Sequence, residues 1–216
     1  MNRYGSLMIL AIVAAMTGGM ALRLNSTGHA AWYISRASGL AAFALLTGSV
    51  IFGLLISSKA ADNSMSRLTV FTVHQFLSVL SLAFLVVHGG SLLFDGFFHF
   101  RLFDLLVPFA APYKPFMVGL GVISAWLAAA VTGSFWARKY IGQQAWRKLH
   151  FASFAAFVLS WFHGITAGTD TTRLPVTLLY AMSMTTVMAL LSYRISKARA
   201  RKAEKARRPV PVRLAA

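Results

Sequence analysis

Long apolar runs alternate with short polar segments along this chain. Six runs are long enough to cross a membrane, at 6–22, 32–57, 68–94, 116–137, 149–167 and 174–193. A spanning helix needs about 20 apolar residues, and these runs lack the alternation of about ten residues that a membrane β-barrel strand shows. The pattern predicts an all-α membrane protein, with one six-helix domain at residues 1–195 and a basic tail at 196–216.

The composition supports the membrane prediction. Hydrophobic residues make up 57% of the 216, charged residues only 12%, and the mean hydropathy is +0.65. A soluble domain of this length could not bury so much apolar surface. We therefore expect the lipid bilayer to be the first partner of this chain.

The charge predicts the orientation. A formal charge of +16 is one sign of a nucleic-acid-binding protein, but no nucleic-acid motif accompanies it, so we expect no such partner. With the N-terminus inside, sixteen of the 21 Lys and Arg residues lie on the inner side, and five lie outside: Arg23, Arg36, Arg101, Lys114 and Arg173. The bias predicts a multi-pass plasma (inner) membrane protein with both termini in the cytoplasm. A cleavable signal peptide in the first run would leave the other spans unchanged. We expect the tail to be disordered.

Four of the six histidines lie inside predicted spans, where ionisable side chains are costly and usually functional. His74 and His88 are fourteen residues apart in the third span, and His150 and His163 are thirteen apart in the fifth. At a rise of about 1.5 Å per residue these separations are about 21 Å and about 19.5 Å. Both spans run outward, so His74 and His150 share a depth near the inner face, and His88 and His163 share one near the outer face.

Two histidine pairs at matched depths are what two stacked b-type haems between the third and fifth spans require. The chain has no cysteine, which excludes cysteine-ligated clusters and thioether-linked haem. Bare zinc or copper, whose ligands cluster around one ion, and metal-free histidines hydrogen-bonded between helices are the alternatives. The azimuths fit less well, because thirteen steps place His163 about 140° from His150. The fifth span must present its ligands from two flanks or be locally distorted.

Arg36 is the one charge well inside an apolar run, near the outer end of the second span. It either extends to the outer headgroups or faces inward and pairs with a propionate of the outer haem or an anionic acceptor. Three inner cations, Arg67, Arg147 and Lys148, lie near the depth of the inner histidines, where the topology alone also explains them. His29 and His99 fall in outer loops, where an acceptor would dock.

The spacings His74-x13-His88 and His150-x12-His163 resemble those of the ferric-reductase-like transmembrane domain. That family includes ferric reductases, NADPH oxidases and the haem-binding membrane subunit of bacterial methionine-sulfoxide reductase systems. Three further stretches are similar to it: WRKLHFASFAAFVLSWFHGITAGTD from Trp146 to Asp170, PYKPFMVGLGVISAWL, and SRASGLAAF with Arg36. The resemblance covers about residues 30–195.

The resemblance implies a bundle with two b haems that passes electrons from a cytosolic flavin donor to an outer acceptor. It places the inner haem at His74 and His150, the outer haem at His88 and His163, and Arg36 beside the outer haem. No G-x-G-x-x-G is present, so we expect the flavin- and nicotinamide-binding domains to be missing; a bound flavin is possible but has no signature in the sequence. The oxidases have a second histidine four residues beyond the outer ligand. This chain has Leu92 there, so direct oxygen reduction to superoxide is not expected.

We therefore expect the haem-bearing membrane subunit of an oxidoreductase, which takes electrons from a cytosolic flavoprotein or reductase and passes them to an outer-face acceptor or partner protein. Two other classes stay open. One is a membrane-anchor or assembly subunit of a larger electron-transport complex. The other is a small transporter that uses intramembrane histidines as a proton relay.

Overall fold

Seven helices and no strand form in residues 30–207, the part of the chain that the computed structural model describes. They are α1 (Ala30–Ser58), α2 (Arg67–Leu92), α3 (Leu102–Leu106), α4 (Pro115–Ile141), α5 (Gln143–His150), α6 (Ala152–Ala167) and α7 (Leu174–Arg207). The all-α prediction is confirmed for this range. The predicted first span at 6–22 and His29 lie outside the described residues.

Five helical segments of the described range are long and apolar enough to cross a membrane: Ala30–Ser58, Arg67–Leu92, Pro115–Ile141, Gln143–Ala167 and Leu174–Glu204. They coincide with the second to sixth predicted spans. Large apolar side chains such as Val86, Trp126 and Met182 are more than half exposed on their outer surfaces. In water such a surface would aggregate, whereas in lipid it needs no other partner. The chain is therefore a multi-pass membrane protein.

Local signals in the sequence set the ends of these helices. The Ser66 side chain caps α2 by accepting a hydrogen bond from the Thr69 backbone N–H at 3.1 Å. Pro115 opens α4, where its missing N–H is not needed. Gly142 separates α4 from α5 with a φ of 80°, a conformation that favours glycine. The turn between these two helices is consequently very short.

The fifth predicted span is interrupted at Phe151, between α5 and α6. The backbone N–H of Phe151 bonds to the Lys148 carbonyl at 3.2 Å, a tighter register than that of an α-helix. The angle of about 140° between His150 and His163 predicted either ligands on two flanks of this span or a local distortion. The structure shows a distortion at Phe151. His150 at the end of α5 and His163 in α6 both contact the same neighbouring helix, α2.

The core lies where α1, α6 and α7 meet. Phe43 of α1 stacks on Phe157 of α6 with ring centroids 5.9 Å apart, and it contacts Tyr180 of α7 at 4.8 Å. The Trp161 indole N–H donates to the main-chain carbonyl of Tyr180 at 3.0 Å. Phe157 is 1% exposed. This cluster fixes α6, and with it His163, against the rest of the bundle.

The loop between α2 and α4 folds over the end of the bundle near His88, which the charge bias predicts to be the outer end. Phe98 lies between Trp32 of α1 and Tyr113, at centroid distances of 5.4 Å and 4.6 Å. The short helix α3 buries Asp104, which accepts hydrogen bonds from the backbone and side chain of Arg101. The hydrogen bond from the Arg101 side chain lowers the pKa of the Asp104 carboxyl. Several large apolar side chains of this loop stay exposed: Phe97, Leu102, Phe103 and Phe109.

The tail departs from its predicted disorder. Helix α7 continues from the last apolar run to Arg207, so the prediction is wrong for residues 196–207. The reason is local, because this segment consists almost wholly of Ala, Arg, Lys and Glu, which are good helix formers, and it extends a helix that is already nucleated. Just before this segment, the guanidinium of Arg194 lies 5.5 Å from the ring of Phe151. Residues 208–216 lie outside the described range.

Cysteine labelling tests the orientation cleanly, because the chain has no cysteine of its own. Asn63→Cys and Ala198→Cys introduce a thiol on the predicted inner side, and Gly96→Cys introduces one on the outer side. All three positions are exposed. In right-side-out vesicles, a membrane-impermeant maleimide should label position 96 alone, and detergent should open the other two to labelling. The reverse pattern would contradict the orientation that the charge bias predicts.

Candidate functional site

The four intramembrane histidines form two pairs between α2 and the α5–α6 segment. The ring centroids of His74 and His150 are 6.0 Å apart, and those of His88 and His163 are 6.1 Å apart. The planes of the two rings make an angle of 72° in both pairs. The partners are those that the matched depths predicted, and the two pairs have nearly the same geometry.

The separation within each pair suits one metal ion between two imidazoles. A metal–nitrogen bond of about 2.0 Å, plus about 1.1 Å from nitrogen to ring centre, gives about 6 Å between centroids on opposite sides of the ion. No group of three or more His, Cys, Asp or Glu side chains that could hold a metal occurs in residues 30–207. Each pair therefore offers two imidazole ligands.

Three of the four imidazoles are oriented by main-chain carbonyls. The Nδ1–H of His74 donates to the Ser49 carbonyl at 2.8 Å, that of His88 to the Ser35 carbonyl at 2.8 Å, and that of His163 to the Met117 carbonyl at 2.9 Å. A carbonyl can only accept, so Nδ1 carries the proton in each ring. The lone pair then lies on Nε2, the tautomer that binds a metal through this atom.

A glycine one turn beyond each accepting carbonyl makes room for the ring. A Cβ built on Gly39 would lie 2.7 Å from the His88 Nδ1, and a Cβ on Gly121 would lie 2.7 Å from the His163 Nδ1. At Gly53 the Cβ would lie 3.3 Å from the His74 Cε1. We call each combination of an accepting carbonyl and a glycine four residues later a histidine seat: Ser35 with Gly39, Ser49 with Gly53, and Met117 with Gly121.

The sequence reasoning missed these seats, although a signal was present. The two seats on α1 are fourteen residues apart, the same spacing as His74 and His88, and each reads S-x3-G. The third seat begins with Met117 and shares only its glycine with the others, so the three seats do not form a recognisable sequence repeat. In the structure, α1 with α2 and α4 with α6 form two hairpins that seat the outer histidines in the same way.

His150 is the exception. Its Nδ1 is buried and has no hydrogen-bond partner in residues 30–207, and the same holds for the indole nitrogen of Trp146. The two rings lie against each other with centroids 5.0 Å apart. Fourteen residues beyond Met117 and Gly121, α4 has Val131 and Phe135. The fourth seat therefore lacks its glycine.

Each pair lies in a cavity. The inner cavity, about 390 Å³, contains His74 and His150, and the outer cavity, about 620 Å³, contains His88 and His163. Both volumes fall within the range of cofactor sites. Four residues line both cavities and form the wall between them: Leu46, Ser81, Leu82 and Ala128.

Arg36 lines the outer cavity, where it forms a two-pronged ion pair with Asp170 in the loop between α6 and α7. The side chains of Arg36 and Asp170 are 24% and 13% exposed, so solvent screens the pair only in part. Arg173 also reaches Asp170, at 3.1 Å. The hydrogen bond from Arg36 lowers the pKa of the Asp170 carboxyl. The sequence analysis predicted that Arg36 would contact lipid headgroups or an anionic group near the outer haem. It did not predict the ion pair with Asp170, which appeared there only as the last residue of the stretch from Trp146.

The other candidate residues are distributed as follows. Arg147 lines the inner cavity together with Arg194, which the sequence reasoning did not single out. Arg67 instead pairs with Asp62 at 2.5 Å. His99 is exposed and bonds to the Phe97 carbonyl in its own loop.

The Arg36–Asp170 pair should make stability depend on pH. A depressed carboxyl pKa means that the pair stabilises the fold above the ordinary value of 3.8 and that this stability is lost as the pH falls through the lowered value. We expect Asp170→Asn to reduce the free energy of unfolding by roughly 1–3 kcal/mol near neutral pH. The free energy of unfolding of the variant should also fall less than that of the wild type when the pH is lowered.

The measurement is the thermal midpoint in detergent at neutral pH and below pH 3.8. Asp62→Asn is the matched control, because its pair with Arg67 is more exposed, at 32% and 67%. Equal effects of the two substitutions would contradict a specific role for the Arg36–Asp170 pair.

Comparison with known proteins gives no match for this chain. No protein-family model, no curated protein and no solved structure matches it. The likeness to the ferric-reductase-like domain therefore still rests on the residues quoted from the sequence. What the site can do must be argued from its own geometry.

Proposed function

We propose that this protein is a di-haem b-type cytochrome that carries electrons across the membrane. His74 and His150 would hold the inner haem, and His88 and His163 the outer one. The observation that carries the proposal is the repeated pair geometry, with centroids 6.0 Å and 6.1 Å apart and the same angle of 72°. Two chance contacts between buried histidines have no reason to agree so closely.

The ligand count favours haem over a bare ion. A bare zinc ion takes three or four protein ligands, whereas each site here offers two imidazoles. A porphyrin would bring four nitrogens of its own, so the two imidazoles of each pair would complete the coordination. Since the chain has no cysteine, the haem must be held without a thioether bond, as in b-type cytochromes.

When bound, the haem supplies reversible one-electron chemistry, and the chain supplies everything else. The seats fix the His74, His88 and His163 rings before any ligand arrives, which limits reorganisation during electron transfer. The apolar walls exclude water. With two histidines as ligands at each site, electron relay would be favoured over substrate binding at the metal. Leu46, Ser81, Leu82 and Ala128 are the only side chains that line both cavities among the described residues, so the inner and outer sites are close neighbours.

The direction and the partners follow from charge. With the termini in the cytoplasm, the inner cavity opens beside Arg147 and Arg194. Neither guanidinium is in an ion pair with a carboxylate of the described residues. Such a surface suits a cytosolic flavoprotein or reductase with an acidic face as electron donor. The acceptor would dock on the outer loops. This is the function that the ferric-reductase-like resemblance also implies.

A reduced-minus-oxidised spectrum of the purified protein tests the proposal. We expect b-type bands and two haems per chain. Reconstituted protein should pass electrons from a cytosolic-side flavin reductase to an outer dye, which an anchor or assembly subunit would not do. A purified, folded protein without b-type bands would contradict the proposal and favour a transporter.

The two haem sites should be separable by mutation. His88→Ala and His163→Ala should each remove the outer haem and leave the inner one, halving the haem content. Gly39→Ala should have the same effect, because its Cβ would displace the His88 ring. The matched control is Gly133→Ala, since a Cβ there meets nothing within 4 Å. Equal loss of both haems from a folded variant would count against two independent sites.

The Arg36–Asp170 pair should tune the outer haem in opposite directions. Removing a nearby cation disfavours the reduced state, so Arg36→Ala should lower the midpoint potential of the outer haem. Removing the anion should do the opposite, so Asp170→Asn should raise it. Redox titration of both variants measures the shifts. Unchanged potentials would mean that the pair serves only to tie α1 to the loop at 168–173.

A further inference from the structure

We infer that His150 is the releasable ligand of the four, so that the inner haem site can take a small neutral ligand such as carbon monoxide while the outer site cannot. This inference rests on the proposed function. The two histidine pairs have nearly the same geometry, but His150 alone lacks a hydrogen-bond partner at Nδ1 among the described residues.

The first observation is the missing partner. His74, His88 and His163 each donate Nδ1–H to a main-chain carbonyl, whereas the buried Nδ1 of His150 has no partner in the described part of the chain. Hydrogen bonding at Nδ1 orients the ring and strengthens Nε2 as a ligand. Its removal typically weakens metal binding by about 10–100-fold. His150 is therefore expected to be the weakest of the four ligands by a factor in this range.

The second observation explains the first. The seat of His163 is built from the Met117 carbonyl and the space above Gly121. Fourteen residues along a helix return to nearly the same face, so Val131 and Phe135 occupy the matching positions toward the inner end of α4. Phe135 lines the inner cavity together with His150. At two of the other seats a Cβ in place of the glycine would lie 2.7 Å from the Nδ1 of His88 or His163. We therefore attribute the missing partner of His150 to the side chain of Phe135.

The third observation is the element that carries His150. Helix α5 is eight residues long and ends at His150, next to the interruption at Phe151. All its residues except Trp146 and His150 are exposed. Few buried contacts mean a low free energy of local opening. By contrast, His163 lies within α6, which is anchored by the buried Phe157. A displacement of the α5 end can therefore move His150 without disturbing the outer site.

The reaction is a simple exchange. In a haem-loaded protein, the bond between iron and the Nε2 of His150 would break and a bond from iron to the carbon of CO would form, with no transfer of electrons or protons. The ferrous state needed for CO binding is set by added dithionite. His74, held by the Ser49 carbonyl, stays as the ligand on the opposite side.

The test is a CO difference spectrum of the full-length, haem-loaded protein after reduction with dithionite, with haem counted per chain. We expect CO to bind one of the two haems. His88→Ala, which keeps only the inner haem, should still bind CO, and His74→Ala, which keeps only the outer haem, should not. Binding to neither haem, to both equally, or to the haem kept in His74→Ala would overturn the inference. Protein without any haem would instead overturn the proposed function.

A matched pair of variants tests the missing seat. Phe135→Gly opens the space that the other seats have, so it should weaken CO binding at least tenfold as His150 gains a carbonyl partner. Phe135→Ala removes the same ring but keeps the obstructing Cβ, so CO binding should persist. Equal CO affinity in the two variants would contradict the seat as the cause. Both measurements use the haem spectrum and do not depend on electron-transfer activity.

Discussion

The hydrogen bond from a histidine Nδ1–H to the carbonyl of a neighbouring helix is the interaction on which the site depends. It exists at His74, His88 and His163, and the glycine four residues after the carbonyl lets the ring come close enough to form it at His88 and His163. It brings α1 close to α2 and α4 close to α6, and it leaves Nε2 free to bind a metal. The cavities at both depths are arranged around these rings.

The charges around the two cavities differ in a way that the histidine spacing does not reveal. At the outer cavity Arg36 is already neutralised by Asp170, and the outer loop closes over the bundle through Trp32, Phe98 and Tyr113. At the inner cavity Arg147 and Arg194 line the wall, and α7 continues as a basic helix. The two ends of the bundle therefore differ in charge: Arg147 and Arg194 line the cavity of His74 and His150, whereas Arg36 at the cavity of His88 and His163 is paired with a carboxylate.

The histidine pairs and most of the fold could be predicted from the sequence, because long apolar runs and the spacing of intramembrane histidines are strong, local signals. The seats could not, since their acceptors are main-chain carbonyls that any residue offers, and Met117 has no side-chain feature in common with Ser35. The helix interruption at Phe151 could not be predicted either, because no Gly or Pro lies next to it in the sequence. The Asp170 partner of Arg36 is 134 residues away in the chain. The tail is helical as far as Arg207 because its residues, although highly charged, have high helix propensity.

Electron paramagnetic resonance of the oxidised, haem-loaded protein tests the central claim most directly. Imidazole planes at 72°, close to perpendicular, give ferric haem a strongly anisotropic low-spin signal with a large gmax. We expect such signals from two irons per chain, and one of them should disappear in His163→Ala. An iron-free protein, or iron that is entirely high-spin, would contradict the account that two haems lie between these helices, each with an imidazole on both sides.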